Sequence, residues 1–273
     1  MSHDPTIPQP APPAPKAPRY RPWQAPWLSL YSAAFYRDVA KRWSGRGFLY
    51  LLVLLSVCWA VEAVIIHIRL RAYLRAEVEP VIEQVPPVVI KSGRASVQAP
   101  QPVYIKAASG ETLAILDTSG ERLDLNGTNA SLLLTRFQLY IKNPRYGLQN
   151  IRLRNVSNLS IDRTDLRRAC SLVGRWLVPA AYLPVLAGLY GYRVVQALLY
   201  GLIAKLMGLL MGARLSYPAC LRLSAVAVTP AVLAATIFSI LEFQPPYWWV
   251  ACFVIAMICL FFGVTANVPS RQS

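Results

Sequence analysis

Residues 48–68 read FLYLLVLLSVCWAVEAVIIHI, and only Glu62 and His67, both late in the run, can ionise. A helix needs about 20 apolar residues to cross about 30 Å of hydrocarbon. This stretch therefore predicts a membrane span, and 221–241 and 247–265 have the same character. Composition agrees, because 55% of the chain is hydrophobic and only 15% is charged, too little for a soluble chain this apolar. A formal charge of +15 raises the question of nucleic acid. The apolar runs place those cations at a membrane surface instead, so no nucleic-acid partner is expected. The basic, Pro-rich stretch before the first run reaches Gly47, longer than the n-region of a cleaved signal peptide. The first run is therefore predicted to stay in the membrane as an anchor.

Residues 1–27 hold nine prolines and almost nothing that builds a core, which predicts a disordered tail leaning to polyproline II. Residues 28–47 change character. Leu28, Leu30, Tyr31, Ala34, Phe35, Val39 and Trp43 can share one helical face, with Arg37, Lys41 and Arg42 beside it. That pattern predicts an amphipathic helix at an anionic inner leaflet. Its cations put the N-terminus in the cytoplasm and the chain after residue 68 outside.

Residues 69–84 continue the helix out of the bilayer. Short β runs follow at 88–90, 102–107, 112–117, 130–135, 137–141 and 151–156, separated by turn residues. A small β-rich extracytoplasmic domain is expected over 69–171, with helical flanks. From 172 to 213 the sequence is apolar again, and one helix of that length would be about 60 Å long, twice the hydrocarbon thickness. Two helices, 172–190 and 194–213, with a turn at Gly188–Arg193 fit better. The fold class expected is thus an α-helical integral membrane protein of five spans (48–68, 172–190, 194–213, 221–241, 247–265), with a short tail at 266–273. A four-span alternative, with 172–213 as one long or partly surface-lying helix, keeps Arg214 and Arg222 on the cytoplasmic side and satisfies the charge rule better.

Residues 113–120, LAILDTSG, resemble the start of an aspartic protease loop. That chemistry needs Gly two residues after the Asp, and here it is three after. It also needs a second carboxylate to share a proton, which a homodimer would have to supply. Ser-Gly pairs recur at 92–93, 109–110 and 119–120, each after a β run, so hairpin glycines explain all three. Asp117 reads as a strand-end residue bonding turn amides, with peptidase chemistry a remote alternative.

Five cysteines lack metal-ligand spacing, and two histidines, His3 and His67, cannot build a triad or a metal cage. No cofactor or metal is expected. Four Asn-x-Ser/Thr sequons, beginning at Asn126, Asn129, Asn155 and Asn158, read as turn chemistry in a bacterial chain. Ionisable residues inside a membrane segment are costly and default to function. Glu62, Arg193 and Lys205 are the candidates, with Arg222 at the next segment's edge. Lys205 can snorkel or pair with Glu242 or with carbonyls. Pro230 kinks its segment, and with Ser224 and Thr229 it suits close packing against a span carrying Gly201, Gly208 and Gly212.

Five stretches together resemble a bacterial membrane family of unknown function, some members of which are labelled maltodextrin-utilisation proteins. They are FYRDVAKRWSGRGFLYLL (35–52), VPPVVIKSGRASV (85–97), QPVYIK (101–106), LAILDTSG (113–120) and LRLSAVAVTPAVL (221–233). That family is distantly similar to the Yip-type membrane proteins, and the resemblance implies five spans and no catalytic residues. The function expected is a non-enzymatic inner-membrane sensor, scaffold or accessory subunit. Its β domain would bind a protein partner or ligand and couple to the helices. The alternative is a transport component, saccharide-related, with Lys205, Arg193 and the Pro230 kink lining a path.

Overall fold

The computed structural model describes residues 19–43, 45–120, 129–143, 147–156, 158–243 and 245–269. Most of the Pro-rich tail lies outside the described residues, as do His3, the Asn126 sequon and Glu121. Among the described residues, four helical stretches are long and apolar enough to cross a membrane: Arg46–Gln84, Arg163–Leu210, Tyr217–Ile240 and Trp248–Thr265. The chain divides into two units, Met1–Glu62 with Tyr182–Ser273, and Ala63–Ala181.

The first unit is all helix. Helices α1 (Ala25–Tyr31) and α2 (Ala33–Arg42) replace the single amphipathic helix expected at 28–47. Ser32 separates them, because its extended backbone and its hydroxyl, accepting the Phe35 N–H at 3.2 Å, make it the N-cap of α2. Nor does α2 simply lie along a surface. Phe35, Tyr36, Val39 and Trp43 are all fully buried, packed with Leu223, Val226, Leu260 and Val264 in one core.

Helix α3 (Arg46–Tyr73) shows two stripes. Leu51, Leu54, Leu55 and Cys58 face the core, whereas Leu49, Val53, Val57, Val61, Val64 and Ile68 are exposed. The exposed residues recur every three or four positions, so they form one apolar face of the helix. A soluble protein seldom leaves such a stripe bare. Helix α8 (Trp248–Thr265) repeats the pattern, with Val254, Ile258 and Phe261 exposed and Ala256, Leu260 and Val264 buried.

Helix α5 (Arg163–Leu210) corrects the expected helix count: its 48 residues run unbroken through Gly188–Arg193. Nothing there stops a helix, because Gly188 and Gly191 each cost only about 1 kcal/mol and no proline follows. The stop comes at Gly212, whose φ of 73° suits glycine. There the Ala213 N–H donates to the Gly208 carbonyl at 2.8 Å and the Gly212 N–H to the Leu209 carbonyl at 3.4 Å. That pair of bonds is a Schellman motif closing the last turn. Gly212 therefore ends a helix rather than receiving one. Helices α6 (Tyr217–Ala227) and α7 (Thr229–Ile240) follow, separated only at Val228.

In the second unit α3 leads through a π-helical turn, Leu74–Val78, into α4 (Glu79–Gln84). Eight strands follow before α5: β1 (Val88–Lys91), β2 (Arg94–Val97), β3 (Val103–Lys106), β4 (Thr112–Leu116), β5 (Leu132–Leu134), β6 (Gln138–Asn143), β7 (Gly147–Arg152) and β8 (Asn158–Ile161). They form a three-stranded sheet, ordered β2-β1-β8, and a five-stranded sheet, ordered β3-β4-β5-β6-β7. Val88, Ile90 and Val97 of the first sheet share a core with Ile105, Leu116 and Leu134 of the second.

Two of the three Ser-Gly pairs turn a hairpin among the described residues. Ser92 and Gly93 form a two-residue hairpin with φ of 48° and 76° between the paired Lys91 and Arg94. Gly110, at φ 84°, turns β3 into β4. Ser119-Gly120 does not join β4 to β5 as a hairpin, because those two strands pair in parallel, and the residues just beyond Gly120 lie outside the described residues. Parallel neighbours need a crossover rather than a tight turn.

Candidate functional site

The polar residues expected to carry function in the apolar segments have separate structural partners. Lys205 Nζ donates to the Leu215 carbonyl at 2.7 Å, just past the end of α5. A cation there also suits the negative end of the helix dipole. Arg193 Nη1 donates to Gln196 Oε1 at 2.6 Å, and Gln196 Nε2 donates to the Tyr200 hydroxyl at 2.8 Å. Arg222 Nη1 donates to the Ala40 carbonyl at 3.0 Å, capping the last turn of α2. Glu62 faces the Thr236 hydroxyl of α7, as does the Cys58 thiol one turn earlier. His67 Nδ1 is buried with no hydrogen-bond partner among the described residues.

Pro230 is buried within the first turn of α7. The two hydroxyls beside it work as joints. Ser224 Oγ donates to the Ala197 carbonyl of α5 at 2.8 Å, and Thr229 Oγ1 lies 3.1 Å from the Tyr50 hydroxyl of α3. Of the three glycines expected to receive this segment, Gly201 does so, since a Cβ there would lie 2.7 Å from Leu221 Cδ2.

Asp38 went unnoticed in the sequence. Its carboxylate, 7% exposed, accepts the backbone N–H groups of Arg19 and Tyr20 at 3.0 and 3.3 Å. Arg42 Nε stands 3.6 Å away. A lone Asp on an apolar helical face was the available signal. It folds the chain before α1 back onto α2.

In the β unit, Asp117 is 1% exposed and sits at the end of β4. Its Oδ1 accepts the Ser119 N–H at 2.9 Å and the Ser119 hydroxyl. Thr118 beside it is held by Gln101, whose Oε1 accepts the Thr118 N–H at 2.6 Å. The carboxylate thus closes its own turn and is covered from solvent, an arrangement that positions a loop.

A shallow cleft of about 350 Å³ opens on the same unit, lined by Ser92, Gly93, Arg94, Phe137, Gln138, Arg152 and Arg154. The Arg94 guanidinium stands 5.8 Å from the Phe137 ring centroid, a cation–π pair on an exposed aromatic. Gly93 makes the cleft's floor possible, because a Cβ there would come within 2.9 Å of the Arg154 Cα. Three arginines around one phenylalanine suit an anionic group with an apolar or planar part.

The helices entering and leaving this β unit are tied at its root. Arg163 Nε donates to the Val85 carbonyl at 2.9 Å, and Arg167 Nη2 meets Glu83 Oε1 at 2.9 Å. Asp162 caps α5: its Oδ1 accepts the Thr164 hydroxyl at 2.6 Å and the Asp165 N–H at 2.8 Å. Those bonds, the Thr164 one first, hold the Asp162 carboxyl below the usual carboxylate range.

Four long apolar helices, with exposed apolar stripes and a β-sheet region between the first and second, are compatible with a membrane protein carrying a β insertion. The chain belongs to the family described as Protein of unknown function (DUF1189), whose model matches residues 23–264. No curated protein and no solved structure matches it.

Proposed function

We propose that this chain is a non-enzymatic, multi-pass protein of a bacterial inner membrane, with its β unit outside the cytoplasm as a recognition module. Binding to that module is passed to α3 and α5. The observation that carries the reading is the root clamp. Arg163–Val85 and Arg167–Glu83 tie the incoming and outgoing chains of the β unit to each other, with three residues between α4 and β1 and only Asp162 between β8 and α5. A load on either sheet reaches both helices at once. The Arg94–Phe137–Arg152–Arg154 cleft is the proposed recognition surface, for a ligand or partner presenting an anionic group.

Four spans, rather than five, accompany this reading. Arg222 bonds Ala40, so the start of α6 lies at the same end as Arg37, Lys41 and Arg42 of α2. Lys205 and Arg214 adjoin that turn. Cations gathered there favour the cytoplasmic side for all of them, by the positive-inside rule.

Hydrogen exchange on the full-length protein in lipid nanodiscs tests the coupling without a known ligand. Gly93→Ala strains the φ of 76° and presses on the Arg154 backbone. Faster exchange is expected within the sheets and also at 79–84 and 163–168. Acceleration confined to the strands would mean that the helices do not feel the β unit, and the reading would fail.

A further inference from the structure

The second unit holds another cleft, outside the sheets, of about 400 Å³. It lies between the ends of two helices. Arg71, Leu74, Arg75, Glu79 and Ile82 line one side, and Arg167, Cys170, Ser171, Leu172, Gly174 and Arg175 the other. Leu172 apart, these residues recur on each side at spacings of three, four, seven and eight, so each set is a single helical face with Leu172 at its margin. Four arginines against one glutamate leave the cleft strongly positive. Arg71, Arg75 and Arg175 make no hydrogen bond or ion pair among the described residues, whereas Arg167 is held by Glu83.

Two backbone features shape the space. The π-helical turn Leu74–Val78 widens the helix where it passes the cleft, the Glu79 N–H reaching the Leu74 carbonyl five residues back. Such turns are rare and gather at functional sites. Opposite, Gly174 lets the helices close, because a Cβ there would lie 3.0 Å from Leu74 Cδ1.

Sequence places this cleft at the edge of the hydrocarbon. The apolar run of α3 ends at Ile68, immediately before Arg69 and Arg71. In α5 Arg175 is the last cation before an apolar stretch that runs from Trp176 to Tyr192, and Trp176 is exposed. Arginine beside an exposed tryptophan marks a headgroup layer. Arginines are unexpected on the outer side, where the charge rule depletes them. They are explained if they meet a fixed anion. Leu74, Ile82 and Leu172 give the cleft an apolar lining as well, which fits an amphiphile and not a free ion.

We propose that this cleft binds the phosphate of an anionic phospholipid of the outer leaflet. Arg71, Arg75 and Arg175 grip the phosphate oxygens, and the acyl chains run down the exposed apolar faces of α3 and α5. Guanidinium suits this role because its fixed fork of donors matches phosphate geometry.

The test uses the full chain in detergent, titrated with phosphatidylglycerol, with phosphatidylcholine and with inorganic phosphate. Native mass spectrometry counts retained lipid and thermal unfolding reads the stabilisation. Phosphatidylglycerol is expected to be retained and to raise Tm, and phosphatidylcholine and inorganic phosphate are not. Arg71→Gln/Arg175→Gln should weaken retention about tenfold or more, with the melting of the lipid-free protein unchanged. Arg37→Gln/Lys41→Gln, which thins the positive charge on α2, should keep the tightly held lipid. Equal retention of both lipids, or an unaffected Arg71/Arg175 variant, overturns the proposal. Stabilisation by phosphate alone also overturns it, in favour of a soluble anion. If the double variant fails to fold, Ser171→Trp, which fills the cleft from an exposed position, must abolish retention or the proposal falls.

Discussion

Tyr36 concentrates several demands in one side chain. Its hydroxyl donates to the Ser29 carbonyl at 2.7 Å, its ring meets Phe262 edge-on at 5.9 Å, and burial pushes its phenol well above the usual range. Gly263 leaves room for that ring, since a Cβ there would stand 2.8 Å from Tyr36 Cδ1. Gly263→Ala should therefore destabilise the helical unit by about 1–3 kcal/mol, as overpacking does. Tyr36→Phe, losing one buried hydrogen bond, should cost about 1 kcal/mol. Thermal unfolding in detergent reads both, and an unchanged Tm for Gly263→Ala would show that α8 does not press on α2 there. The apolar face of α2 was legible from the spacing of Phe35, Val39 and Trp43. What covers it was not, because the partners come from α6 and α8, far along the chain. Lys205 shows the same limit. Its charge marked it as costly, but only the turn at Gly212 brings the Leu215 carbonyl within reach.

At the level of elements, apolar run length located the four long helices but split one of them in two, and short β runs between turn residues located β1, β3, β4, β5 and β6. Helix ends were harder, because they depend on a few backbone bonds. Gly188, Gly191 and Gly212 look alike in sequence, and only Gly212 has the carbonyls of Leu209 and Gly208 left over to satisfy. The parallel β4–β5 pair was also hidden, because pairing direction leaves no mark on either strand's own sequence. The first turn of α5 yields a pH dependence. Asp162 has a folded-state pKa below its unfolded value, owing to Thr164 and the Asp165 N–H. Its contribution is present above the unfolded carboxylate range and is lost as pH falls through the depressed value. Amide exchange at 163–167 should accelerate over that acidic window. Thr164→Ala should move the onset to higher pH, and an onset unmoved by that change would remove Asp162 as the cause.

On the scale of the whole molecule, side-specific labelling decides the membrane arrangement. With single cysteines in a Cys-free background, Ser216, before α6, gives opposite expectations for four and five spans, and Ser109, on the β3–β4 turn, serves as the outside control. Ser109 should label from outside in intact cells and Ser216 only after permeabilisation. If Ser216 also labels from outside, α5 does not cross as one helix, and the clustering of Lys205, Arg214 and Arg222 at the cytoplasmic face is wrong. The strand pairing carries a further consequence, for biogenesis. β1 is the middle strand of its sheet, and its two partners are made far apart in time: Val97 pairs with Val88 at once, whereas Ile161 must wait. In the proposed topology a growing chain would export the hairpin long before the strand that completes the sheet. The β unit would then stand half-built on the far side of the membrane, held by α3 alone. It would close only as the first residues of α5 appear, joining translocation of the last strand to insertion of the second span.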